Sequence, residues 1–331
     1  MNQPPPDNIT VLVQSPQLRA GEVEAVVTIP TFRRPEHLLK TLHSVKAQRT
    51  GRRFAIIVME NDADGQEGAR AVQSLFADGT FEGLLIVAHD RGNCNAYNAG
   101  WLTALEAFPN FSSLLVIDDD EIADPDWLEN MVRARESYGA DIVGGPQIPV
   151  FERPEQAGWT AHPIFRPLHD RSGPVPALYS SGNLLVSRQV LEAMPYPFLD
   201  PMFNFMGGGD ADFLDRSAVK GFRLAWCAEA PIRETIPSRR LERDWIRARA
   251  LRNGVISTLV EKRKRANEPL GQLRIMLKSL ALLAFSPFKA AVNAIKSGSP
   301  ATGLYYIHVG LGRVLAEFGY ANEQYRQPEK N

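Results

Sequence analysis

Residues Leu114-Leu115-Val116-Ile117 run without a spacer into Asp118-Asp119-Asp120-Glu121, and no other stretch limits the fold as tightly. Four consecutive apolar residues need cover on both faces, the pattern of a strand inside a parallel sheet. Four acids at its carboxyl end repel one another, and open α/β sheets bind their ligands at that end of the strands. A hard divalent cation is the natural counter-charge. The helix that follows, opened by Asp124-Pro125-Asp126-Trp127, uses one acid as a cap and leaves Asp118 to Asp120 unexplained.

Upstream the same unit recurs. Residues 24–29 read as a strand ending at Pro30, then a loop Thr31-Phe32-Arg33-Arg34, then a helix from Pro35 with Leu38, Leu39, Leu42 and Val45 at helical spacing. Two arginines at a strand tip are placed to meet an anionic ligand. A second strand, 54–59, ends in Glu60-Asn61-Asp62 and precedes a helix over 65–76; a third, 83–88, leads through His89-Asp90-Arg91-Gly92-Asn93 to a helix over 94–108. This alternation predicts an α/β fold with a mostly parallel sheet, its right-handed crossovers bringing every polar tip to one edge. Residues 1–22 read as an irregular arm.

Downstream, a helix over 127–137 and a short strand over 141–146 precede residues 151–177, rich in proline and aromatics, which read as a long loop over the site. Its aromatic residues, Trp159 among them, either stack on sugar on the acceptor side or pin the loop down. Residues 180–188 read as a turn into a strand. The second chemical centre is Met206-Gly207-Gly208-Gly209-Asp210-Ala211-Asp212, where glycines allow close backbone approach and acids open a helix. An acid at such a close-approach site is placed to accept a proton from a bound ligand, and Asp210 fits the role of general base. Asp212 fits the acceptor side or a plain helix start.

The ordered set Pro30-Thr31-Phe32-Arg33-Arg34, Glu60-Asn61-Asp62, Arg91-Gly92-Asn93 with Asn98, and Asp118-Asp119-Asp120 resembles the landmarks of the GT-A-fold inverting glycosyltransferases of family two, and most closely its succinoglycan-type exopolysaccharide branch. The resemblance implies a Rossmann-like catalytic domain in which Pro30, Thr31, Arg33, Glu60, Asn61, Arg91, Asn98, Asp118 and Asp119 hold a nucleotide sugar, UDP-linked. It implies an Asp-x-Asp motif in which Asp120 and Asp118 hold Mn²⁺ or Mg²⁺, with Glu234 as a further metal contact. Asn183 falls where the family has its acceptor-side strand. Two departures stand out: the family usually has Asp at the position of Glu60 and Glu at the position of Gly209. Independently of the name, a carboxylate-held cation suits the negative charge that builds on a departing diphosphate, and Arg239 and Arg240 are placed to clamp it.

From residue 244 onward the pattern is helical. Leu273 to Phe288 is apolar but broken by Arg274, Lys278 and Pro287, so the uninterrupted run is too short to span a bilayer of about 20 residues. Together with the apolar residues 304–318 it reads as a helix pair lying on an anionic membrane surface, suited to a glycan or polyprenyl-linked acceptor. The expected division is an arm (1–22), a catalytic domain (23–250, nucleotide-sugar half about 23–122, acceptor half about 123–250) and a helical region (251–331). A net charge of −1 gives no reason to expect nucleic acid, and two cysteines give neither a disulfide framework nor a thiolate metal cluster. A polar, proline-rich Met1 to Pro6 lacks the pattern of a secretory signal, so the expected place is the cytoplasm or the inner face of its membrane. Competing functions are a nucleotidyltransferase, which would need no base toward a sugar hydroxyl, and a degenerate nucleotide-sugar or glycan-binding module.

Overall fold

The computed structural model describes residues 8–320 and Arg326. Strands β1 (Ile9–Gln14), β2 (Ala25–Thr31), β3 (Phe54–Glu60), β4 (Gly83–Ala88) and β5 (Ser113–Ile117) alternate with helices α1 (Pro35–Lys46), α2 (Glu67–Ala77) and α3 (Asn93–Ala107). Next come β6 (Glu121–Ala123), α4 (Trp127–Tyr138), β7 (Ile142–Gly144), β8 (Gln147–Phe151), β9 (Gly173–Pro174), β10 (Asn183–Ser187), α5 (Arg188–Ala193), α6 (Gly209–Val219), β11 (Leu224–Trp226) and β12 (Ile232–Ile236). The chain closes with α7 (Arg243–Lys264), α8 (Gly271–Ser297) and α9 (Pro300–Glu317).

The main sheet has the order β1-β4-β3-β2-β5-β10-β7-β11-β9. Strands β4, β3, β2 and β5 are mutually parallel, as alternating strands and helices require, while β10 enters antiparallel between β5 and β7. Every residue of β5 is buried, which is why its four apolar positions carry no alternation. Apolar layers lie on both faces: Trp101, Phe203 and Phe213 fill one, Leu38, Phe76 and Trp127 the other. A second sheet, β6-β12-β8, sits at the carboxyl edge and carries Glu121 and Glu234 opposite each other in register.

Four expectations from sequence need correction. Residues 9–14 are not an irregular arm but an edge strand, whose β-branched residues satisfy the outer backbone groups of β4. Residues 151–177 are not wholly loop: Pro154–Ala161 forms a 3-10 helix and Gly173–Pro174 pairs with β11. The boundary at residue 250 falls inside α7, which runs unbroken from Arg243 to Lys264. Finally, the apolar C-terminal segment is longer than the sequence pattern implies. Pro287 removes one backbone donor and would orphan the Leu283 carbonyl, but the Ser286 hydroxyl donates to that oxygen at 2.7 Å, so α8 continues as one helix of 27 residues. It is long and apolar enough to cross a membrane by length and composition.

The last three helices form one layer. Gly254 on α7 and Gly312 on α9 face each other's backbones so closely that a methyl group at either would collide with Val309 or Leu251 carbonyl oxygens. Small residues thus let α9 lie flat against α7, with α8 outside it.

Candidate active site

Parallel strands end together, so the tips of β2, β3, β4 and β5 meet at one edge. Beyond β5 the chain turns. Asp119 is buried, while Asp118 and Asp120 are half-buried. The Thr31 hydroxyl donates to Asp119 Oδ2 at 2.8 Å, and the Thr41 hydroxyl donates to the Asp119 and Glu121 carbonyls, fixing the turn. Asp118 accepts the Tyr97 phenol proton at 2.6 Å, and its backbone N–H donates to Glu121 Oε2 at 2.8 Å. Gln147 donates to the other Glu121 oxygen at 2.6 Å.

Burial pushes the Asp118, Asp119 and Glu121 carboxyls up, and neighbouring acids add to it: Asp120 for Asp118 and Asp119, Asp118 for Glu121. Glu234 is raised by burial too, opposed by the adjacent Arg240 and reinforced by Asp120. Arg240 Nη1 donates to Glu234 at 2.6 Å while its Nη2 lies 3.8 Å from Asp120, and Arg34 donates to Asp120 at 2.8 Å and Asp119 at 3.3 Å. Asp118, Asp120 and Glu234 are neighbouring oxygen donors of the kind a hard dication takes. Among the described residues no three His, Cys, Asp or Glu side chains are gathered at ligand spacing. Arg34 and Arg240 occupy the space between these carboxylates.

The second centre is on α6. Asp210, in its first turn, accepts from the Ser181 backbone N–H at 3.2 Å and the Ala211 N–H at 2.8 Å. Ser181 stands just before β10, whose start pairs with the end of β5 that leads into Asp118. Because β10 runs antiparallel to β5, its beginning, not its end, reaches the site. Burial raises the Asp210 carboxyl, opposed by its backbone donors and by Arg249 of α7. Arg249 of α7 and Arg240 of the turn before it lie about equally far from the Trp245 ring, 6.0 and 5.9 Å from its centroid, so both bring cations to the edge of this site.

Several residues expected to touch substrate are instead spent on the scaffold. Glu60 is fully buried and accepts from the Asp62 and Ala69 backbone N–H groups, capping α2. Asn61 donates to the Ala88 and Asp90 carbonyls and accepts from Gly92 N–H, stapling two strand tips. Asn98 exchanges both amide groups with the Leu199 backbone, at 2.7 and 2.8 Å. Asn183 accepts from Trp127 Nε1 and donates to the Pro146 and Ala230 carbonyls. Asp212 is buried between Arg216 and Arg263, tying α6 to α7. Trp159 packs on His162 in a small apolar cluster with Phe165, Ile236 and Ile246, so it pins its segment down. The glycines before Asp210 serve packing as well: a side chain at Gly208 or Gly209 would collide with Ile256 or Cys94.

The remaining predicted residues keep the edge. Pro30 ends β2 within the sheet, paired with Met59. Arg33, held at φ 57°, turns outward to Asp62 at 2.6 Å, and that left-handed step sends Arg34, not Arg33, to the central acids. Arg91 is exposed with its guanidinium 4.9 Å from the Phe32 ring centroid. Tyr97, Ser181 and Arg249 escaped sequence reasoning because each lies on a helix face or strand start whose pattern reads as ordinary core or surface.

Replacing Asn183 by Ala should destabilise the fold by about 3 kcal/mol, since it orphans a buried indole N–H and two carbonyls. Urea unfolding measures it; a loss under about 1 kcal/mol with a raised acceptor KM would return Asn183 to the acceptor side.

Similarity to known proteins agrees with this geometry. The solved structure of S. aureus TarS 1-349 in complex with UDP superposes with a TM-score of 0.51 at 12% identity, covering 93% of this chain and 98% of that one. The same S. aureus TarS fragment in another crystal structure gives 0.50 at 13% identity, again over 93% and 98% of the two chains. These likenesses show the GT-A-like fold. Succinoglycan biosynthesis protein ExoM of Rhizobium meliloti (strain 1021) is 27% identical over 236 residues, 69% of this chain and 72% of that protein. The family description "Glycosyl transferase family 2" matches residues 26–194, half of the chain, which spans the strand tips and the central acids, and the chain belongs to that family.

Proposed function

We propose that this chain transfers a hexose from a UDP-linked sugar to a hydroxyl of a glycan or polyprenyl-linked oligosaccharide, with inversion, in polysaccharide biosynthesis. The observation that carries the proposal is that Asp210, on α6, accepts from the Ser181 backbone just before β10, beside the carboxyl end of β5 where the acid cluster lies. A proton acceptor and a leaving-group site then stand on separate elements at one edge of the sheet. The names of the relatives support the substrate class: TarS is solved with UDP and ExoM is a succinoglycan biosynthesis protein.

In this reading Asp120, Asp118 and Glu234 would hold Mn²⁺ or Mg²⁺, which when bound would neutralise charge on the leaving diphosphate. Arg34 and Arg240, which stand beside these carboxylates, are placed to meet the diphosphate oxygens. Asp210 takes the acceptor hydroxyl's proton while that oxygen forms its bond to the anomeric carbon and the bond to the diphosphate breaks. A single displacement inverts the anomeric centre. Tyr97 donates to Asp118 and Ser181 to Asp210, which holds each carboxylate in place. Nothing in this scheme resembles a nucleotidyl transfer, which would have no use for Asp210.

A donor screen by thermal shift tests it. A UDP-sugar at about 100 times its Kd stabilises by about 2.7 kcal/mol, worth several degrees, and should do so only with Mn²⁺ or Mg²⁺ present. Stabilisation by nucleoside triphosphates with release of pyrophosphate, and none by sugar nucleotides, would point to the nucleotidyltransferase instead.

A further inference from the structure

The outermost helix, α8, presents a face that none of the described residues covers. Leu273, Leu277, Leu280, Phe285, Phe288 and Ile295 are each 45% or more exposed, with Phe285 at 71%, Phe288 at 74% and Ile295 at 82%. Their spacing follows one stripe of a helix. The opposite face is closed: Ile275, Ser279, Ser286 and Ala290 are buried, and Gly303 and Gly310 of α9 come within touching distance of Ala290 and Leu283. Soluble surfaces seldom leave so many large apolar side chains in one row.

Charge identifies what covers the stripe. No Asp or Glu occurs between Glu268 and Glu317, whereas Arg274, Lys278, Lys289 and Lys296 all lie on α8. A second copy would have to bring the same patch to itself about a two-fold axis, setting these cations against one another with no acid on α8 to offset them. An anionic phospholipid surface complements both the charge and the apolar row. Although α8 passes the length and hydropathy criterion for a membrane span, it is not free on all sides. Its inner face is bound to α9, Lys278 reaches Glu261 at 2.7 Å and the Lys289 ammonium sits 4.3 Å from the Tyr306 ring centroid, all near mid-helix. Those ties hold α8 parallel to the layer beneath it.

We propose that the outer face of α8 is a membrane-docking surface that lies in the plane of an anionic bilayer, with Phe285 and Phe288 among the acyl chains and the basic residues at the headgroups. The reading stands apart from the transfer reaction, because vesicle binding is measured with neither donor nor acceptor present.

Flotation of the full chain with vesicles of phosphatidylglycerol and phosphatidylcholine, or of phosphatidylcholine alone, tests it. The protein should float with the anionic vesicles and bind the zwitterionic ones at least tenfold more weakly. The exposed pair Phe285→Ser and Phe288→Ser should lower anionic binding at least tenfold with circular dichroism and melting temperature unchanged. Should that pair perturb folding, Arg274→Glu with Lys296→Glu gives the same reading through charge alone. Equal binding to both vesicle types, undiminished binding by the folded variants, resistance of the bound protein to alkaline carbonate, or a lipid-free dimer that the phenylalanine variants dissociate while vesicle binding persists would each overturn the proposal.

Discussion

Replacing Asp210 by Asn is expected to lower kcat about 1000-fold while leaving the donor KM within about threefold of the parent, because general-base contributions run to that size and the donor acids lie on other elements. The amide keeps the shape of the side chain and an oxygen to accept from Ser181, so the site does not collapse. What it loses is a lone pair basic enough to take a proton. The pH profile should carry the same signature. Burial holds the Asp210 carboxyl above its ordinary value, so transfer in the parent enzyme should fall as pH drops through that raised pKa, at a pH higher than an exposed aspartate would give. Turnover by the Asn variant within tenfold of the parent would remove Asp210 from the reaction.

Asp120→Ala should abolish cation-dependent nucleotide binding. Asp120 pairs with Arg34 at 2.8 Å and lies 3.8 Å from Arg240, and it raises the proton affinity of Asp118, Asp119 and Glu234 alike, so it sits at the middle of the cluster. Truncating one partner of a buried charge cluster costs about 3 kcal/mol, or a factor of about 100 in Kd. Calorimetric titration of UDP with and without Mn²⁺ measures it. Binding of UDP that stays strong and Mn²⁺-dependent in the variant would move the cation to other ligands.

The succession of strands and helices in the first half was legible because its signals are local. Runs such as Ala55 to Met59 have no helical period, and polar residues follow at each tip. The central acids and Asp210 stood out for the same reason: acids beside strand ends or glycines are conspicuous in a row of letters. The amides were another matter. Asn61, Asn98 and Asn183 look like ligand contacts from their positions, yet each is consumed by backbone groups, Asn98 by Leu199 at a separation of 101 residues. A tip asparagine that holds a loop and one that holds a ribose carry the same letter, and only the remote partner tells them apart. Arg33 and Arg34 were likewise indistinguishable until the left-handed backbone at Arg33 assigned one outward and the other inward. Helix α8 was cut short in the sequence reading by Pro287, whose cost a neighbouring serine removes.

Helix α7 starts beside the carboxylates and runs on beneath α9, with glycines at the crossing that leave no space for a cushion of side chains. Close-packed backbones transmit strain as a rod does. Any rigid shift of the outer helices would therefore be carried along α7 to Arg249, whose charge acts on Asp210.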